Sequence, residues 1–451
     1  MRQEGGGSSD MTWTRWLAAA LLCLPVWAAA QEEFVSEFPP ALRFTQQAEV
    51  REVEKDIFIQ RVYPDTALDA VDAELRALID QLAARNEDRL PLDRVTTASY
   101  LDVGAVISRS GESVLSFLAT AEISREKERL SVEHETRVYD MADGRRLALS
   151  DFFREDSGAY AYIAGEIRAQ LTAAFPGVEP DAAALDALTS EESIKSAPFT
   201  LGAARMTLTY RADLLYPGRA SLLHVHLYYP QLRAMMTDYG LRQTDNSRYR
   251  MVALTYDDGG ARSTTRRVLD QLRLYGAQAT FFVIGERCMN NRDILLRQQD
   301  NKHTIADHSY AHRYAPDMTK AEAHEEKQRM IELLGDITGV VPTMMRAPGG
   351  YYNYYIRREI GYPLIQWSLS SADAGNNRYD KIAARVIRNA RDGAVILMHD
   401  INSGSPKYTA EILRSLTERG FLCVTVEELF SDAGVALEPN VAYDNPYTLS
   451  E

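Results

Sequence analysis

Cysteine is scarce, three in 451 residues, too few for disulfides to form the framework of a chain this long. Cys288 and Cys423 are expected to stay unpaired: one follows a predicted strand and the other sits inside a different one. Positive charge is also short. Fifty Lys and Arg face 64 Asp and Glu, a net charge of -14, which argues against a nucleic-acid binder and against a polybasic membrane anchor. A glycan, read mainly by hydrogen bonds and aromatic stacking, stays open as a partner. No internal repeat is visible. The apolar run Trp16 to Trp27 is too short to span a bilayer comfortably. Arg15 precedes it, and Ala28-Ala29-Ala30 follows it before Gln31, so residues 1–30 read as a signal peptide, with Met11 as an alternative start. Cys23 would leave with that segment. The expected location is outside the cytoplasm, periplasmic or extracellular at the cell wall, with no stable membrane insertion after cleavage.

What remains is ordinary globular material, 45% apolar and 25% charged, and long enough for two domains. Residues 31–235 mix patterns. "DTALDAVDAELRALIDQLAARNE" has the three-and-four spacing of an amphipathic helix, while "SVLSFLATAEIS" and "LSVEHETRVYDM" alternate like half-buried strands. An α+β domain on an antiparallel sheet is expected. The polar stretch 236–250 reads as a linker and 434–451 as a C-terminal tail. Between them, over 251–433, short apolar runs and helical patterns alternate strand by helix. That implies parallel strands and a distorted (β/α) barrel of seven or eight units. The chain is therefore expected to be α/β in its C-terminal half.

In such folds chemistry gathers at the C-terminal strand ends, and the polar residues fall there. Asp257 and Asp258 end the first strand, His308 the third, Arg346 the fourth; Asp373 follows the fifth, and His399–Asp400 end the sixth. Two adjacent carboxylates raise each other's pKa unless something positive holds them ionised. "HSYAH" places His308 and His312 four apart, so one helical turn would bring both imidazoles to one face. Two histidines and one carboxylate, Asp257 or Asp258, are a common catalytic zinc set, and the same trio suits non-haem iron. His303 reads as structural, His324 as solvated, and His224 and His226 as packed along a strand.

Five motifs in order carry a resemblance. "TYDDGG", "HSYAH", "RAPGG", "SLSSADA" and "LMH", with "GAQATFFVIG" after the first helix, resemble the polysaccharide deacetylase family, the NodB-homology group of carbohydrate esterase family four. The resemblance covers residues 251 to about 430. It implies that Asp258, His308 and His312 bind a divalent metal, Zn2+ first, with Co2+, Fe2+ or Ni2+ as alternatives. It implies that Asp257 is the general base and His399 the general acid, that Arg346 orients Asp257 and that Asp373 tunes His399. Gly349, Gly350, Tyr351 and Leu397 would line the substrate and oxyanion side. Two departures stand out. Ser370 and Ala374 occupy the first Asp and the Trp of D-x-x-D-W, and Gly349 replaces a common Tyr. Of the nearby Tyr351, Tyr352, Tyr354 and Tyr355, at least two are expected in the core and the rest on a sugar-stacking surface.

The implied activity is metal-dependent deacetylation of an N-acetylated cell-wall glycan, peptidoglycan first and chitin-like GlcNAc second. An O-acetyl xylan esterase would use the same site, and a weakly active cell-wall binding or sensing protein is the rival from another class. "VYDMADGRRLALSDFF" in the first domain resembles the secreted accessory domains found beside such deacetylases and in anti-sigma sensors.

Overall fold

The computed structural model describes residues 45–449 apart from 55, 67, 92–96 and 112. The expected signal peptide, with Cys23, lies outside the described residues. In the first half, β1 (Thr45–Glu54), β2 (Ile57–Asp65), β3 (Ser99–Ser110), β4 (Val114–Arg125), β5 (Glu128–Asp140) and β6 (Arg145–Arg146) form one sheet in chain order. The pairing is antiparallel except between β2 and β3, which run parallel. The expectation of a wholly antiparallel sheet is corrected there. The helix Asp69–Glu87 carries the chain back across the sheet, as a parallel pair requires, and buries Leu75, Leu78, Ile79 and Leu82 against it. A second, antiparallel sheet contains β7 (Phe199–Leu201), β8 (Arg205–Arg211) and β9 (Leu222–Tyr228). Helix Ala159–Thr172 covers it with Ile163, Ile167 and Leu171.

Residues 236–250 are not an open connector. Thr237 caps the helix Asp238–Gln243, and Gly240 packs so tightly that a Cβ would lie 2.6 Å from the carbonyl oxygen of Phe152.

The second half is built on parallel strands: β10 (Arg250–Asp257), β11 (Thr280–Val283), β12 (Thr304–Asp307), β13 (Leu364–Ile365), β14 (Leu369–Ser370), β15 (Ala394–His399) and β16 (Phe421–Val424). One ladder runs β12-β11-β10-β15-β14, with β16 also on β10. β10 is buried from Met251 through Asp257, as expected for a strand covered on both faces. Alternate residues divide between two apolar clusters. Ala253, Phe282, Ala306, Ile365, Val395 and Val424 meet on one side. Leu254, Tyr256, Phe281, Ile396 and Met398 meet helices through Leu269, Leu272 and Leu413 on the other. With a side-chain period of two, Asp257 shares the face of Ala253, and His399 that of Val395. Both therefore end the same face at the C-terminal side. The segment expected as a tail is built into the structure: β17 (Ala442–Asn445) pairs with β13 in parallel and with β18 (Thr448–Leu449) antiparallel. Cys288 and Cys423 are buried free thiols.

The two halves dock at the opposite end of these strands. Lys302 Nζ, just before β12, donates to Thr200 Oγ1 (3.0 Å) and Ser108 Oγ (3.2 Å). Arg205 donates to the Lys302 carbonyl (2.7 Å) and lies beside the buried Glu428 carboxylate. Arg129 donates to Asp300 (2.5 Å), and the His224 ring bonds the Gln299 carbonyl (2.9 Å). Every one of these second-half partners except Glu428 precedes a strand of that half.

Candidate active site

Asp257 and His399 are direct neighbours across the β10–β15 pair. Adjacent strands lie about 4.8 Å apart, which sets the width between these two side chains. Asp258, the next residue, has φ of +77°. This left-handed backbone is costly for a residue with a Cβ.

His308 and His312 converge with Asp258. His312 Nε2 lies 3.3 Å and His308 Nε2 3.7 Å from Asp258 Oδ1, and one donor atom from each of the three falls within 4.8 Å of the others. A helical turn does not do this. Residues 308–312 form no helix; the loop turns through Ser309 and His312 at φ of +65° and +54°. His308 Nδ1 bonds the Arg346 carbonyl at 2.7 Å, so the proton sits on Nδ1 and Nε2 presents its lone pair. Burial lowers the His308 pKa despite Asp257 and Asp258 nearby, which favours the neutral ligand form. Burial alone would raise Asp258, but the His312 hydrogen bond and the charges of His308, His399 and Arg287 outweigh it and hold the acid at about 2. Asp258 and His308 therefore favour their deprotonated forms near neutrality, as a metal requires.

Arg346 is fully buried and reaches Asp257 Oδ1 at 2.7 Å. It also donates to Thr255 Oγ1 (2.8 Å) and to the carbonyls of Ile365 and Gln366 (both 2.9 Å). With Oδ1 engaged, Asp257 Oδ2 faces the His308 ring at 3.8 Å. On the other flank Asp373 Oδ1 lies 2.9 Å from His399 Nδ1, and Asp373 Oδ2 accepts the His399 backbone N–H at 2.8 Å. Burial would push the imidazolium down; Asp373, with Asp257 and Asp258, outweighs it and lifts His399 to about 9.

Sequence reasoning missed two supports of Asp373. Tyr408 Oη donates to Asp373 Oδ2 at 2.6 Å and Ser371 Oγ to Oδ1 at 2.9 Å. Tyr408 lies on a helix 35 residues away, where nothing in the local pattern marks it. Leu397 shares the His399 face two residues earlier and is nearly buried, so it lies beneath the site. Gly350 spends its N–H on the Ala347 carbonyl (2.8 Å). The aromatic expectation is corrected. Tyr351, Tyr354 and Tyr355 are exposed, and Tyr352 alone of the four packs partly against a core cluster. His303 is buried, with Nδ1 accepting from the Ala279 N–H at 3.2 Å, and His324 is mostly exposed.

The parallel strands end in a two-histidine, one-carboxylate cluster that could hold a metal ion, with a buried arginine–aspartate pair on one side and a histidine–aspartate pair on the other. The polysaccharide deacetylase family profile matches residues 244–363. A peptidoglycan-N-acetylglucosamine deacetylase of Bacillus cereus is 32% identical over 192 residues, 40% of this chain and 88% of that protein. The chain belongs to the polysaccharide deacetylase family. The peptidoglycan-N-acetylglucosamine deacetylase PgdA of Listeria monocytogenes is 35% identical over 184 residues; the match spans 40% of this chain but only 39% of that relative's length. Among solved structures, a T48 deacetylase with substrate is 33% identical, with 44% of this chain and 99% of that one covered at a TM-score of 0.43.

Proposed function

We propose that this chain is an exported, metal-dependent hydrolase that removes acetyl groups from an N-acetylated cell-wall glycan. Peptidoglycan is the first substrate class, chitin-like GlcNAc chains the second, and an O-acetyl ester the easier variant at the same site. The observation that carries the reading is the convergence of Asp258, His308 and His312 beside Asp257, with His399 directly across the strand pair. The sequence similarity to peptidoglycan deacetylases supports the substrate class.

Asp258, His308 and His312 would hold the cation, for which Zn2+ fits a two-imidazole, one-carboxylate set best and Co2+, Fe2+ or Ni2+ are alternatives. When bound, such an ion acidifies water and polarises an acyl oxygen. Asp257 takes the proton of the attacking water on Oδ2, because Arg346 holds Oδ1. The water oxygen bonds the acetyl carbon, and the Gly349 amide donates to the oxyanion that forms; one such donor is worth roughly 3–4 kcal/mol in the barrier. His399, kept protonated by Asp373, gives its Nε2 proton to the sugar nitrogen as the C–N bond breaks. Acetate and a free amine leave.

The parallel strands are read here as a distorted (β/α) barrel. Support comes from single bridges joining β12 to Met345 and Met345 to β13, and from Ser368 and Ser371, which donate back to β15. Domain limits of 31–235 and 251–433 are proposed with the packed helix of 236–250 between them. An acetate-release panel on peptidoglycan, chitin oligomers and acetylated xylan tests the function. Release from N-acetylated glycan is expected; a protein that keeps its metal and releases nothing from any of them would be a binder instead.

A further inference from the structure

Two exposed tyrosines stand together beside His312. Tyr351 is 62% and Tyr314 47% exposed. Their ring centroids lie 6.0 Å apart, and the Tyr314 ring lies 6.3 Å from that of His312. An aromatic rim therefore begins on an expected metal ligand and runs outward over Gly349. That glycine has φ of +65°, and a Cβ on it would come within 2.8 Å of the Tyr351 ring and 3.0 Å of the Tyr314 ring. The missing side chain at 349 is what lets both rings sit there. Farther out, Tyr354 and Tyr355 lie close to cations: Arg358 donates to the Tyr354 hydroxyl (2.9 Å), and Lys320 lies 6.0 Å from the Tyr355 ring. No cation lies over Tyr314 or Tyr351 among the described residues. An exposed ring pair with hydroxyl edges suits a ligand with C–H faces and a hydroxylated rim, which is a neutral pyranose.

We propose that Tyr314 and Tyr351 form a sugar-stacking subsite for the ring next to the acetylated one, so that the glycan leaves the site on the His312 side. The inference rests on the deacetylase reading. The rims of other folds would serve a peptide as well; here continuity with the acetyl site commits the occupant to the substrate's own chain.

Tyr314→Ala and Tyr351→Ala are to be compared with the parent on N-acetylated chitin tetramer and on a monosaccharide. The ratio of kcat/KM for tetramer over monosaccharide should fall by up to about ten-fold in each variant, which is about 1.4 kcal/mol. Tyr351→Phe should restore it. In parallel, calorimetric titration of zinc-loaded Asp257→Asn protein with the tetramer should show a Kd weakened by a similar factor when either tyrosine is removed. Active variants with an unchanged ratio and unchanged Kd overturn the subsite and leave the deacetylase reading intact. Tetramer binding that depends on both tyrosines, without acetate release from the parent, overturns the reading and keeps the subsite. Neither binding nor release overturns both.

Discussion

Replacing Asp373 by Asn removes the negative charge that holds the His399 proton while keeping the size of the side chain. His399 stands at about 9 because Asp373, with help from Asp257 and Asp258, overcomes burial. Without that carboxylate the imidazolium should fall to the ordinary histidine value of about 6.5 or below, a drop of roughly 2.5 units or more. A group with a raised pKa is lost as a proton donor when pH rises through that value, so the alkaline limb of kcat/KM moves down. One unit below the parent's limb, the protonated fraction falls from about nine-tenths to about three-hundredths, a ~30-fold loss. Some 3.5 units below the limb the two proteins differ by less than about two-fold from this cause. A bound dication would draw both values down together, so the difference between variants is the quantity to measure, at equal metal loading. The Asn amide also meets donors, since Tyr408 and the His399 N–H both point at Oδ2, and a cost of about 1–3 kcal/mol in stability follows. The assay is the pH profile of acetate release from chitin tetramer, with a thermal melt as control. A loss of the same size at every pH would refute the reasoning and leave Asp373 a merely orienting group.

Arg346→Met leaves Asp257 buried without its partner and should cost roughly 3–5 kcal/mol in denaturant unfolding; restoring much of that with Asp257→Asn added would attribute it to the pair, whereas additive losses would not. At the domain junction, burial lowers Lys302 to about 7, helped by Arg205. Unfolded chain therefore takes up a proton between about pH 7 and 10.5 that folded protein refuses, and stability falls as pH drops through that window. Lys302→Met should remove the slope of up to ~1.4 kcal/mol per pH unit; an unchanged slope in urea titrations at several pH values would contradict the assignment.

The site was legible where short motifs coincide with strand ends. Asp257, Asp258, His308, Asp373 and His399 fall at or just past strand ends and could be placed by counting apolar runs; Arg346, expected to end a fourth strand, follows only the single bridges of Met345. The turn at "HSYAH" was not legible. Four-residue spacing suggests a helix, but the backbone reaches the same convergence through two left-handed residues, and strain at a site overrides local pattern. Tyr408 and Ser371 escaped because a hydrogen bond between distant elements leaves no periodicity. The parallel β2–β3 pair and the pairing of β17 with β13 depend on where the chain returns, which alternation alone does not specify. The docking of the first half against Lys302, Asp300 and Gln299, at the end of the strands away from His399, depends on buried polar pairs that composition cannot reveal.

The central claim is that Asp258, His308 and His312 hold one cation that serves acetyl hydrolysis. Metal-free protein titrated with zinc, with metal content and acetate release from peptidoglycan or chitin tetramer followed together, tests it most directly. The account predicts silence without metal, recovery that saturates at one equivalent, and loss of both binding and release in His308→Ala. One equivalent bound to the parent with no acetate released, or release that survives His308→Ala without bound metal, would contradict it.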